Sequence, residues 1–135
     1  MPLVRIDLVA GRTAGEVEQI ADAVHTAIVE VFAIPPRDRF QIVTEHDAGQ
    51  MIALDAGLGF DRSSGVVMIQ IFTQAGRSTE TKQELFRSVC TQLGRIGVDG
   101  ADVFIGIMEN TPADWSFGFG RAQYVEGDLA VPSSE

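Results

Sequence analysis

Leu3-Val4-Arg5-Ile6-Asp7-Leu8-Val9-Ala10-Gly11-Arg12-Thr13 is answered further along the chain by Met68-Ile69-Gln70-Ile71-Phe72-Thr73-Gln74-Ala75-Gly76-Arg77-Ser78. In each stretch an apolar run leads into Ala-Gly-Arg and then a hydroxyl residue. Val4, Ile6 and Leu8 alternate with Arg5 and Asp7, the period of a strand with one face on a core. A second pair follows in the same order, Phe40-Gln41-Ile42-Val43-Thr44-Glu45 and Phe104-Ile105-Gly106-Ile107-Met108-Glu109. The chain therefore contains two copies of a strand–helix–strand unit, roughly residues 2–46 and 66–110, with a C-terminal extension over 111–135. Two right-handed units of this kind can pool their strands into one four-stranded mixed sheet with both helices on one face. The expected fold is α+β, in a single domain over residues 1–135.

Between the strands, Thr13 and Glu16 can form a capping box that satisfies the first free amides of a helix. Val17, Ile20, Ala21, Val24, Ile28, Val31 and Phe32 then fall on one apolar stripe. Pro35-Pro36 ends that helix, because proline has no amide hydrogen and restricts the residue before it. Ser78 can cap a second helix, with Leu85, Phe86, Val89, Cys90, Leu93 and Ile96 on its buried side. Residues 46–65 read as a long glycine-containing connection, and Val66–Phe72 as a central strand. The tail from Asn110 sets Trp115, Phe117, Phe119 and Tyr124 among glycines. Two helices cover one sheet face only, so the other face calls for self-association or for the tail of a neighbour.

Hydrophobic residues make up 45% and charged residues 21%, values that support a packed core without staples. A formal charge of −9 argues against nucleic acid or anionic membranes as partners. A small anionic substrate would need a locally placed arginine. Cys90 is the only cysteine, which rules out a disulfide framework. No basic segment followed by an apolar run opens the sequence, and no stretch of about twenty apolar residues could span a bilayer. The expectation is an acidic cytoplasmic protein.

Pro2 follows Met1, and removal of Met1 would leave a secondary amine at the start of a strand. Such an amine titrates near roughly 8; burial lowers that value and a neighbouring carboxylate raises it. It could act as a base, as an acid, or as a nucleophile toward an aldehyde. If the copies run antiparallel about a local twofold, the end of one first strand meets the start of the other. Arg77 then lies near Pro2, and Arg12 near Val67, where no amine exists. Arg77 could grip a carboxylate through its fork, or be an exposed charge at a helix start. Asp38, in Pro35-Pro36-Arg37-Asp38-Arg39-Phe40, could hold the amine protonated or simply pair with Arg37 or Arg39. Trp115 and Phe117 could wall a pocket or pack in a core. His25 and His46 stand alone without ligand spacing, and Gly57-Leu58-Gly59-Phe60 precedes a strand rather than a helix, a poor phosphate loop.

The chain resembles the tautomerase superfamily, and within it the malonate semialdehyde decarboxylases. The resemblance is carried by Met1-Pro2-Leu3, Gly11-Arg12-Thr13, Pro35 through Asp38-Arg39, Asp55 through Gly59, Arg62-Ser63-Ser64, Ala113 through Gly118, Gly120-Arg121-Ala122 and Gly127-Asp128-Leu129. It implies a homotrimer with neither metal nor organic cofactor, acting on a small anionic oxo acid. It carries a catalytic proline onto Pro2, its carboxylate partner onto Asp38 and a substrate-binding arginine onto Arg77. Trp115, Phe117 and Leu129 match an apolar pocket. Where those decarboxylases can carry two arginines flanking a proline, this chain reads Thr73-Gln74-Ala75-Gly76-Arg77, so Gln74 stands in for the first arginine. The implied activity is decarboxylation of malonate semialdehyde to acetaldehyde and carbon dioxide. The alternatives are an enol–keto tautomerase or hydratase of small 2-oxo acids, and a non-enzymatic trimeric binding protein.

Overall fold

A computed structural model of the chain describes residues 1–131, so the last four residues of the expected extension, Pro132 to Glu135, lie outside the described residues. Four strands, β1 (Pro2–Val9), β2 (Phe40–His46), β3 (Val67–Gln74) and β4 (Val103–Asn110), form one sheet in the order β2-β1-β3-β4. Parallel pairs β1–β2 and β3–β4 are joined by the antiparallel pair β1–β3, the arrangement the internal repeat implies. In that central ladder Pro2 faces Thr73 and Leu8 faces Val67. The start of each copy therefore meets the end of the other.

Helix α1 (Ala14–Phe32) begins at the expected capping box, with Glu16 N–H donating to Thr13 Oγ1 and Thr13 N–H to Glu16 Oε1. It stops when Ala33 turns left-handed at φ 51°, just ahead of the two prolines. Helix α2 (Thr79–Gly94) is capped by Ser78, which accepts from the Thr81 amide. Both helices pack on the same sheet face. Val4, Ile6, Leu8, Val67, Ile69 and Ile71 from the sheet meet Ile20, Val24, Ile28, Leu85, Val89 and Leu93 from the helices. Each such side chain contributes roughly 1.5–3 kcal/mol by leaving water.

The second helix is more sparsely buried than its periodicity suggests. Leu85, Val89 and Leu93 are enclosed, but Phe86 and Ile96 are over a third exposed and Cys90 is half-buried. In α1, Val17 and Val31 border the core rather than fill it. The opposite sheet face carries Ile42 and Phe104, both over 40% exposed, and the connection before β3 presents Ile52, Leu54 and Leu58 to solvent. Asp7 and His46 pair across β1 and β2 at 2.6 Å. A short helix, α3 (Gln123–Glu126), closes the described chain. Among the described residues no helix is long and apolar enough to cross a membrane.

Candidate active site

The edge of the sheet where β1 starts and β3 ends gathers most of the residues singled out in the sequence. Parallel pairing of β1 with β2 sets Leu3 beside Phe40, which brings the Pro35–Arg39 turn against the chain start. Asp38 comes within 3.6 Å of the amino group, which in this chain is that of Met1. Asp38 does not pair with its arginine neighbours: Arg39 reaches Asp22 and Gln41 instead. Burial holds the amine below its ordinary value; Asp38 pulls it up and Arg77 pushes it down. Pro2 itself is buried.

Arg77 arrives at this edge because the turn after β3 leads directly into α2. It is 5% exposed, with its guanidinium carbon 3.8 Å from the Phe32 ring centre. Nη1 donates to Thr73 Oγ1 at 3.0 Å, and Nε and Nη2 have no hydrogen-bond partner among the described residues. Burial lowers the affinity of this guanidinium for its proton, and Asp38, then Glu109, oppose that. Guanidinium remains charged in proteins. Because the Thr73 hydroxyl accepts from Arg77, its own hydrogen is left to donate elsewhere. Thr73 is 1% exposed and directly opposite Pro2.

Asp38, Phe117 and Leu129 line one cavity of about 350 Å³ together with Pro35, Arg37, Phe40, Tyr124 and Ala130. Trp115 lines an adjoining hollow of about 290 Å³ with Met1, Leu3, Phe40, Ser116 and Phe117. Trp115 is held by an indole hydrogen bond to Asn110 Oδ1 at 2.8 Å, and Phe117 by its amide to Gln123 Oε1 at 2.9 Å. Gln74, the last residue of β3, is buried beside the site but lines neither hollow.

Tyr124 joins the site without a sequence motif to mark it. It is 6% exposed, stacks edge-on against Phe117 at 5.3 Å, and its hydroxyl has no partner among the described residues. Burial, with Asp38 nearby, raises its pKa to about 12, so it remains a hydrogen-bond donor at neutral pH. A buried donor without an acceptor is costly, on the order of 1–3 kcal/mol, and suits a site that receives an oxygen-rich ligand. The sequence signal for it was weak: one tyrosine in a glycine-rich tail, on a helix too short to show a period.

The opposite edge holds the counterparts from the other copy. Arg12 donates to the Gly65 carbonyl at 2.7 Å, and buried Asp102, the equivalent of Asp38, accepts from the amide and hydroxyl of Ser63. The chain itself fills that end. Among the described residues no group of three or more His, Cys, Asp or Glu side chains could hold a metal ion.

Two family models described as tautomerase enzymes match the chain, one over residues 38–118 and one over residues 2–61. It is similar to a solved structure of FG41 malonate semialdehyde decarboxylase inhibited by 3-bromopropiolate, at 62% identity and a TM-score of 0.95, covering 96% of this chain and 99% of that one. A second solved malonate semialdehyde decarboxylase, described for decarboxylase and hydratase activities, is 40% identical with a TM-score of 0.91, over 95% and 99% of the two chains. "Probable tautomerase YrdN" of Bacillus subtilis (strain 168) is 41% identical over 96% of this chain and all of its own length. The tandem sheet, the amine at its edge and these likenesses agree: the chain belongs to the tautomerase family.

Proposed function

We propose that the protein is a cofactor-independent decarboxylase that converts malonate semialdehyde to acetaldehyde and carbon dioxide, with the Pro2 amine as its catalyst once Met1 is removed. The observation that carries this reading is the meeting of a chain-terminal amine, Asp38, the Arg77–Thr73 pair and the unpartnered Tyr124 hydroxyl at one apolar edge. The 62% identity to a malonate semialdehyde decarboxylase supports the choice of substrate.

The substrate carboxylate is drawn by the Arg77 charge and accepts from the Thr73 and Tyr124 hydroxyls, with the Gln74 amide beside them. Charge-assisted donors of this kind fix orientation as well as add affinity. Protonated Pro2, kept charged by Asp38, donates to the aldehyde oxygen. The bond between the methylene and carboxylate carbons then breaks, its electron pair forming the enolate that Pro2 stabilises. Carbon dioxide leaves, and a proton from water at the methylene carbon gives acetaldehyde. The wall of Trp115, Phe117 and Leu129 favours neutral carbon dioxide over the anion it replaces.

Pro2 is buried at the chain start, and burial favours a neutral amine, which supports a second reading in which neutral Pro2 is the base of a tautomerase or hydratase acting on small 2-oxo acids. The pH profile separates the two. Decarboxylation by a protonated amine fails as pH rises through the amine's titration, whereas base catalysis fails as pH falls through it. Assembly as a homotrimer, which the resemblance implies, would cover the apolar side chains left on the open sheet face.

The deciding experiment measures acetaldehyde release from malonate semialdehyde by protein whose mass confirms loss of Met1, with Pro2→Ala alongside. Turnover that collapses in Pro2→Ala is expected. Absence of turnover by the processed, folded protein would remove the decarboxylase reading.

A further inference from the structure

The Asp38 carboxylate has one hydrogen-bond or ion-pair partner among the described residues, the amino group of Met1 at 3.6 Å, so its position must come from the backbone that carries it. Its counterpart Asp102 is different, since two Ser63 donors hold that carboxylate directly. The turn bearing Asp38 is instead fastened to the outer side of α1 at both ends. Ahead of Asp38, His25 Nε2 lies 2.8 Å from the Pro36 carbonyl oxygen. A carbonyl can only accept, so Nε2 carries the hydrogen. Behind Asp38, Arg39 donates to Asp22 Oδ1 and Gln41 Oε1, each at 2.8 Å, and Gln41 donates to the Ala21 carbonyl at 2.9 Å. Within the turn, the Asp38 amide closes on Pro35 O at 2.9 Å.

The repeat makes the His25 contact informative. In the second copy the equivalent helix position is Cys90, whose sulfur lies within 3.2 Å of where a Cβ would stand on Gly100, the residue equivalent to Pro36. The close approach of helix and turn is thus common to both copies. A hydrogen bond at that place is present only in the copy whose aspartate faces the amine.

We propose that His25 is a positioning residue: its hydrogen bond to the Pro36 carbonyl sets the Pro35–Arg39 turn so that Asp38 stands at the chain start, where removal of Met1 exposes the Pro2 amine. This rests on the proposed role of Asp38, and it predicts a directional effect. Loss of the bond lets Asp38 withdraw, which weakens the proton's hold on the amine. Small displacements of a catalytic partner cost rate out of proportion to their size.

The test compares wild type, His25→Ala, His25→Gln and Asp38→Asn in processed protein. Two quantities are read: the pKa of the Pro2 amine by NMR of nitrogen-15-labelled protein, and kcat and KM for malonate semialdehyde. His25→Ala should lower the amine pKa toward that of Asp38→Asn and reduce kcat roughly five- to tenfold, with KM changing less. Glutamine, which presents an amide N–H at similar reach, should restore both. An amine pKa in His25→Ala equal to wild type would overturn the proposal, as would failure of glutamine to restore it. If Asp38→Asn turns over at the wild-type rate, the proposed catalytic role of Asp38 fails, while the amine pKa still decides whether His25 positions it.

Discussion

Thr73 stands directly across the central ladder from Pro2, and its hydroxyl is occupied on one side by Arg77 at 3.0 Å. Strand register therefore delivers the arginine's influence to the proline's neighbourhood without the guanidinium having to be exposed. The hydroxyl accepts from a buried cation, which leaves its own hydrogen to donate.

Removing either free hydroxyl should weaken substrate binding without unfolding the protein. Thr73→Val and Tyr124→Phe should each lower kcat/KM for malonate semialdehyde by roughly ten- to a hundredfold, the range for hydrogen bonds to a charged group. Tyr124→Phe keeps the ring against Phe117 and removes a buried unpaired hydroxyl, so its thermal stability should equal or exceed that of wild type. The double variant should lose less than the sum if both donors serve one carboxylate. Unchanged kcat/KM in both single variants would dismiss them as ligand contacts.

The terminal amine offers a test of sign. In protein retaining Met1, Asp38→Asn should lower the amine pKa further, and Arg77→Met should raise it, because these neighbours act in opposite directions. Shifts of the same sign would show that the charges do not reach the amine as the geometry requires. Stability follows the same logic. The unfolded amine, near roughly 8, holds its proton more readily than the folded one. The contribution to stability is therefore complete above that pH and falls as pH drops through the folded value. Denaturation by urea across that window, with Asp38→Asn as reference, measures it.

At the far edge, chemistry and stability should come apart. Asp102→Ala leaves the Ser63 amide and hydroxyl without their acceptor in a buried place, which should cost about 2–4 kcal/mol in urea denaturation. Catalytic constants of the surviving folded protein should stay within about twofold of wild type. A large fall in kcat at constant stability would contradict the assignment of that edge to structure.

The topology was open to reading because the repeat is written in side chains whose burial alternates, and because symmetry alone brings Arg77 to Pro2. Asp38 stands out in its proline-rich turn, but from residues alone pairing with Arg37 or Arg39 at the surface is the more natural reading; in the fold Asp22 and Gln41 hold Arg39. Tyr124 and Thr73 escaped notice for a common reason. What distinguishes them is a hydroxyl hydrogen left over after the neighbours are satisfied, and only three-dimensional packing reveals a remainder. Phe86 and Ile96 were placed in the core by periodicity. Phe86 sits at the margin of the stripe that α2 buries and Ile96 lies past the helix end at Gly94, so both lie partly in solvent.

Because residues 62–65 run into the far edge as continuous chain, that edge never acquires an end of its own. Circular permutation would change this. A chain rejoined elsewhere and opened just before Val67 would begin with a free amine beside Arg12 and Asp102. It would release the segment now bound to them and move the terminus and the burden of self-closure to the opposite side of the molecule.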